Sequence, residues 1–148
     1  MRIVKVNLKN LELITPLFDS YRVFYGQVSD LSVAREFIKA RVENEQSIIF
    51  LAIDNNDKSV GFTQLYPSFS SVSVARTWIL NDLYVVEEAR KQGVAKMLMN
   101  AARELAVNDK VKGLVLETAA DNITAQCLYE SLGYEKELGI YHYFLNLK

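Results

Sequence analysis

Apolar and polar residues alternate at the start of the chain and then shift to a helical period. Ile3, Val4 and Val6 mark a short β-segment. Over residues 11–26, Leu13, Leu17, Val23, Phe24 and their apolar neighbours recur at helical spacing, which predicts a helix stopped by Gly26. A second helix is predicted from about Ser29-Asp30, capped by Asp30 or Ser32, to about Asn44. The apolar run Ile48–Ile53 and the run 60–66 are joined by a polar stretch, 54–58, and read as a hairpin. The Ser-rich residues 67–76 read as a loop and 77–86 as the next strand. Val94, Leu98, Ala101, Ala102 and Leu105 form the core stripe of a helix over 93–108. Residues 114–118 read as a short buried strand. A helix is expected over 122–132, ending at Gly133, and a final alternating strand over 141–147, with a further short strand around 134–136.

The order is β-α-α-β-β-β-α-β-α-β. It predicts an α/β fold with a mixed central sheet, antiparallel in its first half and closed by a parallel βαβ crossover, with helices flanking it. The length, 148 residues, fits one domain spanning 1–148. Seventeen basic and 18 acidic residues nearly cancel, which argues against a surface that coats nucleic acid. No apolar run approaches the ~20 residues that span a bilayer, and the alternating start lacks the apolar core of a signal peptide. One Cys forms no internal disulfide, so the cytosol is the expected compartment. One Cys and one His, outside any cluster, give no expectation of a metal.

Chemistry concentrates in two blocks. The first is Arg90-Lys91-Gln92-Gly93-Val94-Ala95, or R-x-x-G-x-A, between a strand and a helix. A helix start with free N–H groups and a positive dipole end attracts phosphate, and Arg90, Lys91 and Lys96 add full charges. Three cations at a helix N-terminus oppose the dipole unless an anion sits there. The second block runs from Asn122 to Tyr134 and reads N-x-x-A-x-x-L-Y-x-x-x-G-Y. In order and spacing the two blocks resemble the GCN5-related N-acetyltransferase (GNAT) superfamily. The resemblance is strong over 77–134 and looser elsewhere. Asn81-Asp82-Leu83-Tyr84-Val85 is similar to the E-D-[LF]-[FY]-V run of polyamine-type members, and Phe24-Tyr25-Gly26 with Phe37 and Arg41 points toward the polyamine, amino-acid and histone-type branch. Glu87 stands where Pro is common, which alters the turn before Arg90.

The resemblance implies acetyl-CoA as cofactor, with its pyrophosphate on Arg90, Lys91, Gln92, Gly93, Val94, Ala95 and Lys96. It implies that Leu83, Tyr84 and Val85 pair with the pantetheine arm as an added strand. Asn122 would contact the arm, although it is also a natural N-cap. Tyr129, two helical turns on, would protonate the departing thiolate. Asp82, and less strongly Glu117, would hold or deprotonate the amine. Phe24, Tyr25 and Tyr66 would line the acceptor pocket. His142 reads as a surface residue of the last strand and Cys127 as a small filler with no base beside it. The implied reaction is direct transfer to a primary amine in a ternary complex, to a small amine, polyamine or amino acid first and a protein lysine or N-terminus second. The alternative is an acyl-CoA-binding sensor without turnover. A ligand bearing another phosphate finds no G-x-x-x-x-G-K-[ST] or G-x-G-x-x-G to support it. A homodimer, paired through the aromatic segment 141–144, is left open.

Overall fold

A computed structural model describes residues 1–148. They form two compact units, Met1–Leu116 and Glu117–Lys148. The first holds β1 (Arg2–Lys5), α1 (Leu11–Phe24), α2 (Leu31–Glu43), β2 (Ile48–Ile53), β3 (Ser59–Ser70), β4 (Ala75–Val85), α3 (Val94–Asn108) and β5 (Leu114–Val115). The second holds α4 (Ile123–Ser131). The expected class and strand order hold. One five-stranded sheet runs β1-β2-β3-β4-β5, antiparallel as far as β4 and parallel between β4 and β5. No helix is long and apolar enough to cross a membrane.

Strand alternation sends side chains to two faces, and each face has its own core. Ile49, Leu51, Ile53 and Phe62 pack against Ile14, Leu17 and Phe18 of α1 and Ala34 and Ile38 of α2. Ala52, Val60 and Val85 pack against Val94 and Leu98 of α3. Helix limits follow local chemistry. The Asp30 side chain accepts the Val33 amide at 3.1 Å and starts α2. Gly26, at φ 89°, ends α1 as expected, with its N–H on the Val23 carbonyl and the Gln27 N–H on that of Arg22.

Four local expectations are corrected. The segment 67–76 is not a loop, because β3 runs on to Ser70 and β4 begins at Ala75. Pairing of β2 to β3 stops at Leu65, so Pro67 lies where β3 has β4 on one side only and its missing N–H costs no bond to β2. β5 is two residues long and pairs only with Trp78 and Ile79. Just beyond, Asn81 is an extra residue in β4, since Gln64 faces Asp82 and Leu65 faces Leu80. A bulge there bends β4 and ends the parallel ladder. Residues 134–148 contain neither the short strand nor the final strand. Alternation makes a strand only where an edge satisfies its backbone, and the unit 117–148 contains no strand to offer one. The turn before Arg90 holds a single 3₁₀ turn, Glu87–Ala89, at the position where the Pro is missing.

Candidate active site

The bulge at Asn81 sets the geometry of the first unit. Beyond Ile79, β4 keeps β3 on one side and has no strand on the other. Leu83, Tyr84 and Val85 pair with Thr63, Phe62 and Gly61; the Tyr84 carbonyl faces Gly61 of β3, while Leu83 and Val85 turn their backbone groups to the open side. The carbonyl of Asp82, at the bulge, accepts the buried Thr63 hydroxyl at 2.8 Å. An open ladder of this kind suits an extended ligand carrying amides. Leu83, Tyr84 and Val85, which sequence reasoning assigns to pantetheine, lie along it.

β4 leads through the 3₁₀ turn into the start of α3. Gly93 is at φ 80°, a left-handed conformation that side chains with a Cβ adopt only with strain, and nothing lies within 4 Å of the place where its Cβ would stand. No side chain caps α3. Its first inward hydrogen bond comes from Met97 to the Gly93 carbonyl, which leaves the amides of Val94, Ala95 and Lys96 without helical partners. They form a phosphate-type cradle at the positive end of the dipole. Lys91 and Gln92 are exposed on the same turn. Arg90 is partly committed, because its Nε donates to the Val85 carbonyl at 2.9 Å and its guanidinium lies 5.7 Å from the Phe24 ring. Gly61 holds this assembly close to the sheet. A Cβ on it would stand 3.0 Å from the Tyr84 carbonyl oxygen, 3.2 Å from Val94 Cγ1 and 3.3 Å from Leu98 Cδ1.

Asp82 is buried, 5% exposed, on the α1 face of the sheet. Its Oδ1 accepts the Tyr21 hydroxyl at 2.8 Å and the Asn81 amide at 3.0 Å, and its Oδ2 accepts Gln64 Nε2 at 2.7 Å. Gln64 Oε1 in turn accepts the Ser47 hydroxyl at 2.8 Å. Burial, and then the charge of Asp82, push the Tyr21 phenol far above its ordinary value. Tyr66, half-buried, is pushed up to about 12, chiefly by burial and then by Asp82, while Arg41 pulls the other way. Aromatic rings surround Tyr21. Tyr25 is 5.0 Å away, Phe62 5.4 Å and Tyr84 5.9 Å, and Phe24 stands 5.2 Å from Tyr25 and 6.0 Å from Tyr84. Phe24 and Tyr25 are exposed. The first unit therefore gathers Asp82, Tyr84, Phe24, Tyr25 and Arg90 in one neighbourhood, with Tyr66 within electrostatic reach of Asp82.

The second unit carries the other block. The Asn122 side chain accepts the Ala125 amide at 3.2 Å, so it caps α4. Tyr129 lies two turns on, its ring 6.2 Å from that of Tyr134. Gly133, at φ 94°, donates its N–H to the Glu130 carbonyl while the Tyr134 N–H reaches the Tyr129 carbonyl, closing the helix in a Schellman motif. Glu117 is on the surface and 3.2 Å from His142 Nδ1. Cys127 is exposed, not the buried filler expected. Its place on a surface of α4 follows from a helix with no buried residue.

Sequence reasoning passed over Tyr21, Gln64 and Ser47. Two signals were available. Tyr21 precedes Tyr25 by one helical turn and shares its face. Gln64 is a polar residue two places from Phe62 within an apolar strand, so it points to the same core face.

An α/β sheet whose fourth strand is bulged and open, followed by an uncapped glycine-led helix, is a scaffold suited to an extended ligand that carries amides and phosphates. The family profile described as Acetyltransferase (GNAT) family matches residues 14–134, and the chain belongs to that family. It is 47% identical to "Uncharacterized N-acetyltransferase YhfO" of Bacillus subtilis (strain 168), over 99% of this chain and 98% of that protein. It is 31% identical to a "Probable acetyltransferase" of Haemophilus influenzae, over 91% of this chain and 90% of that one. A crystal structure of a probable acetyltransferase superposes with a TM-score of 0.93 at 43% identity, covering 100% of this chain and 99% of that one. Acetyl transfer, with acetyl-CoA as the cosubstrate of the family, is thereby established as the class of reaction.

Proposed function

We propose that the chain transfers the acetyl group of acetyl-CoA to a primary amine by direct attack in a ternary complex. A small amine, polyamine or amino acid is the first acceptor, and a protein lysine or N-terminus the second. The observation that carries this reading is the open backbone of β4 leading into the uncapped, Gly93-led start of α3. Acetyl-CoA supplies an activated thioester. Leu83 and Val85, either side of Tyr84, hold its arm through the backbone, and the amides of Val94–Lys96, helped by Lys91, Gln92 and the free end of Arg90, hold its phosphates. Asn122 orients the arm in addition to capping α4. Phe24, Tyr25 and Tyr66 bound the acceptor site, and Asp82 receives the proton that the ammonium must lose before it can attack. Tyr129 gives its proton to the leaving thiolate. Glu117, engaged with His142, has a minor role in binding the acceptor. The family match crosses both units, which supports one acetyltransferase domain over 1–148. The exposed thiol of Cys127 suits a reducing, cytosolic setting.

Thiol release from acetyl-CoA across polyamines, amino acids, aminoglycosides and a lysine peptide tests this reading. Release with one class, and an acetylated product of matching mass, is expected. Coenzyme A binding with no transfer to any of them would favour the acyl-CoA sensor.

A homodimer is also proposed. Leu138, Tyr141, Tyr143, Phe144, Leu145 and Leu147 are each more than three-quarters exposed in the single chain, and a second copy gives such an alternating segment an edge to pair with. Sedimentation at twice the chain mass is expected, and a monomer at micromolar concentration would refute it.

A further inference from the structure

Asp82 is too deeply buried to meet a substrate, so a proton bound for it must arrive through a partner. Its three side-chain donors differ in what they can pass on. Gln64 and Asn81 are amides, which donate but do not take up and release a proton at neutral pH. The Ser47 hydroxyl sits behind Gln64 and is cut off from the carboxylate by that amide. Only the Tyr21 hydroxyl can accept a hydrogen bond while giving its own proton to Asp82. Tyr21 is also half-buried, between the buried carboxylate and the exposed rings of Phe24 and Tyr25. We infer that Tyr21 touches the acceptor amine and relays its proton to Asp82, an inference that rests on the amine-acetylation reading above.

The step balances. An N–H bond of the ammonium breaks as its proton moves to Tyr21 Oη, and the Tyr21 O–H bond breaks as that proton moves to Asp82 Oδ1. The amine is left neutral with its lone pair free, Tyr21 is again a phenol, and Asp82 is a carboxylic acid that returns its proton to water through Tyr21 once the product has left. Tyr21 holds its proton too tightly to rest as a phenolate, so it can give one up only while taking another. The other titratable or charged groups around the dyad are Tyr25 on α1, Tyr66 on β3, Tyr84 on β4, Arg41 on α2, which acts on Tyr66, and Arg90, whose guanidinium lies over Phe24.

The test uses Tyr21→Phe and Asp82→Asn in the full chain, with the fastest amine of the panel as probe and kcat/KM followed over pH. At pH 7 each variant is expected to lose about 100-fold or more. The deficit should close as pH approaches the amine's own pKa, about 10, where no proton acceptor is needed. Coenzyme A affinity and melting temperature of Tyr21→Phe should stay near those of the parent. A Tyr21→Phe profile equal to the parent, or lowered by one factor at every pH, overturns the relay. If Asp82→Asn alone shows the pH-dependent loss, the relay is wrong and Asp82 remains the base. A parent enzyme that acetylates no amine overturns the underlying reading together with the relay.

Discussion

In the proposed mechanism, single residues act in two ways, through side-chain protons and through backbone conformation. Tyr129→Phe removes the proposed proton donor to the thiolate, and kcat should fall about 100-fold or more with coenzyme A affinity unchanged. An unaltered kcat takes Tyr129 out of the mechanism. Gly93→Val acts on the backbone. At φ 80° an L-residue costs about 1–2 kcal/mol, and a β-branched one more. Relaxation of that strain would turn away the amides of Val94–Lys96, so calorimetry should show coenzyme A binding lost while the fold persists. The two motif blocks were legible because each is contiguous in the chain. The hub around Asp82 was not, since Ser47, Gln64, Asp82 and Tyr21 come from four separate segments and meet only when α1 packs on the sheet.

At the scale of elements, the helices were legible almost to the residue, because caps and glycine stops are local signals. Asp30 starts α2, and Gly26 and Gly133 follow the ends of α1 and α4. Strand lengths were less legible, because they depend on partners. Pro67 and its serines belong to β3 only because β4 pairs with them, and β5 stops early because β4 bends at Asn81. Two substitutions probe how elements are joined. Gly61→Val should push α3 off the sheet and cost about 1–3 kcal/mol in urea unfolding, because the neighbouring Tyr84 carbonyl cannot yield. Asp19 ties α1 to the start of α2. Its carboxylate accepts the Ser29 hydroxyl at 2.6 Å and the Asp30 amide at 2.8 Å, and these bonds, the Ser29 one foremost, hold it below the usual carboxylate range. A lowered folded-state pKa stabilises above the unfolded value near 4, and that stability is lost as pH falls through the folded value. Asp19→Asn should therefore cost about 1–2 kcal/mol at pH 7 and flatten the loss of stability below about pH 4. An unchanged acid limb in thermal melts would show that Asp19 does not carry it.

For the whole molecule, the proposed cofactor grip is carried by the backbone, with side chains supplementing it. Gly93 must permit a turn, Gly61 must admit a helix, and β4 must bulge, whereas Leu83 or Val85 need only be apolar. Hydrogen exchange of the full chain with and without saturating acetyl-CoA tests it most directly. Slowed exchange is expected in two stretches, 80–86 and 92–96, with the rest of the sheet little changed. Saturating binding that leaves both stretches exchanging at their free rates would contradict it.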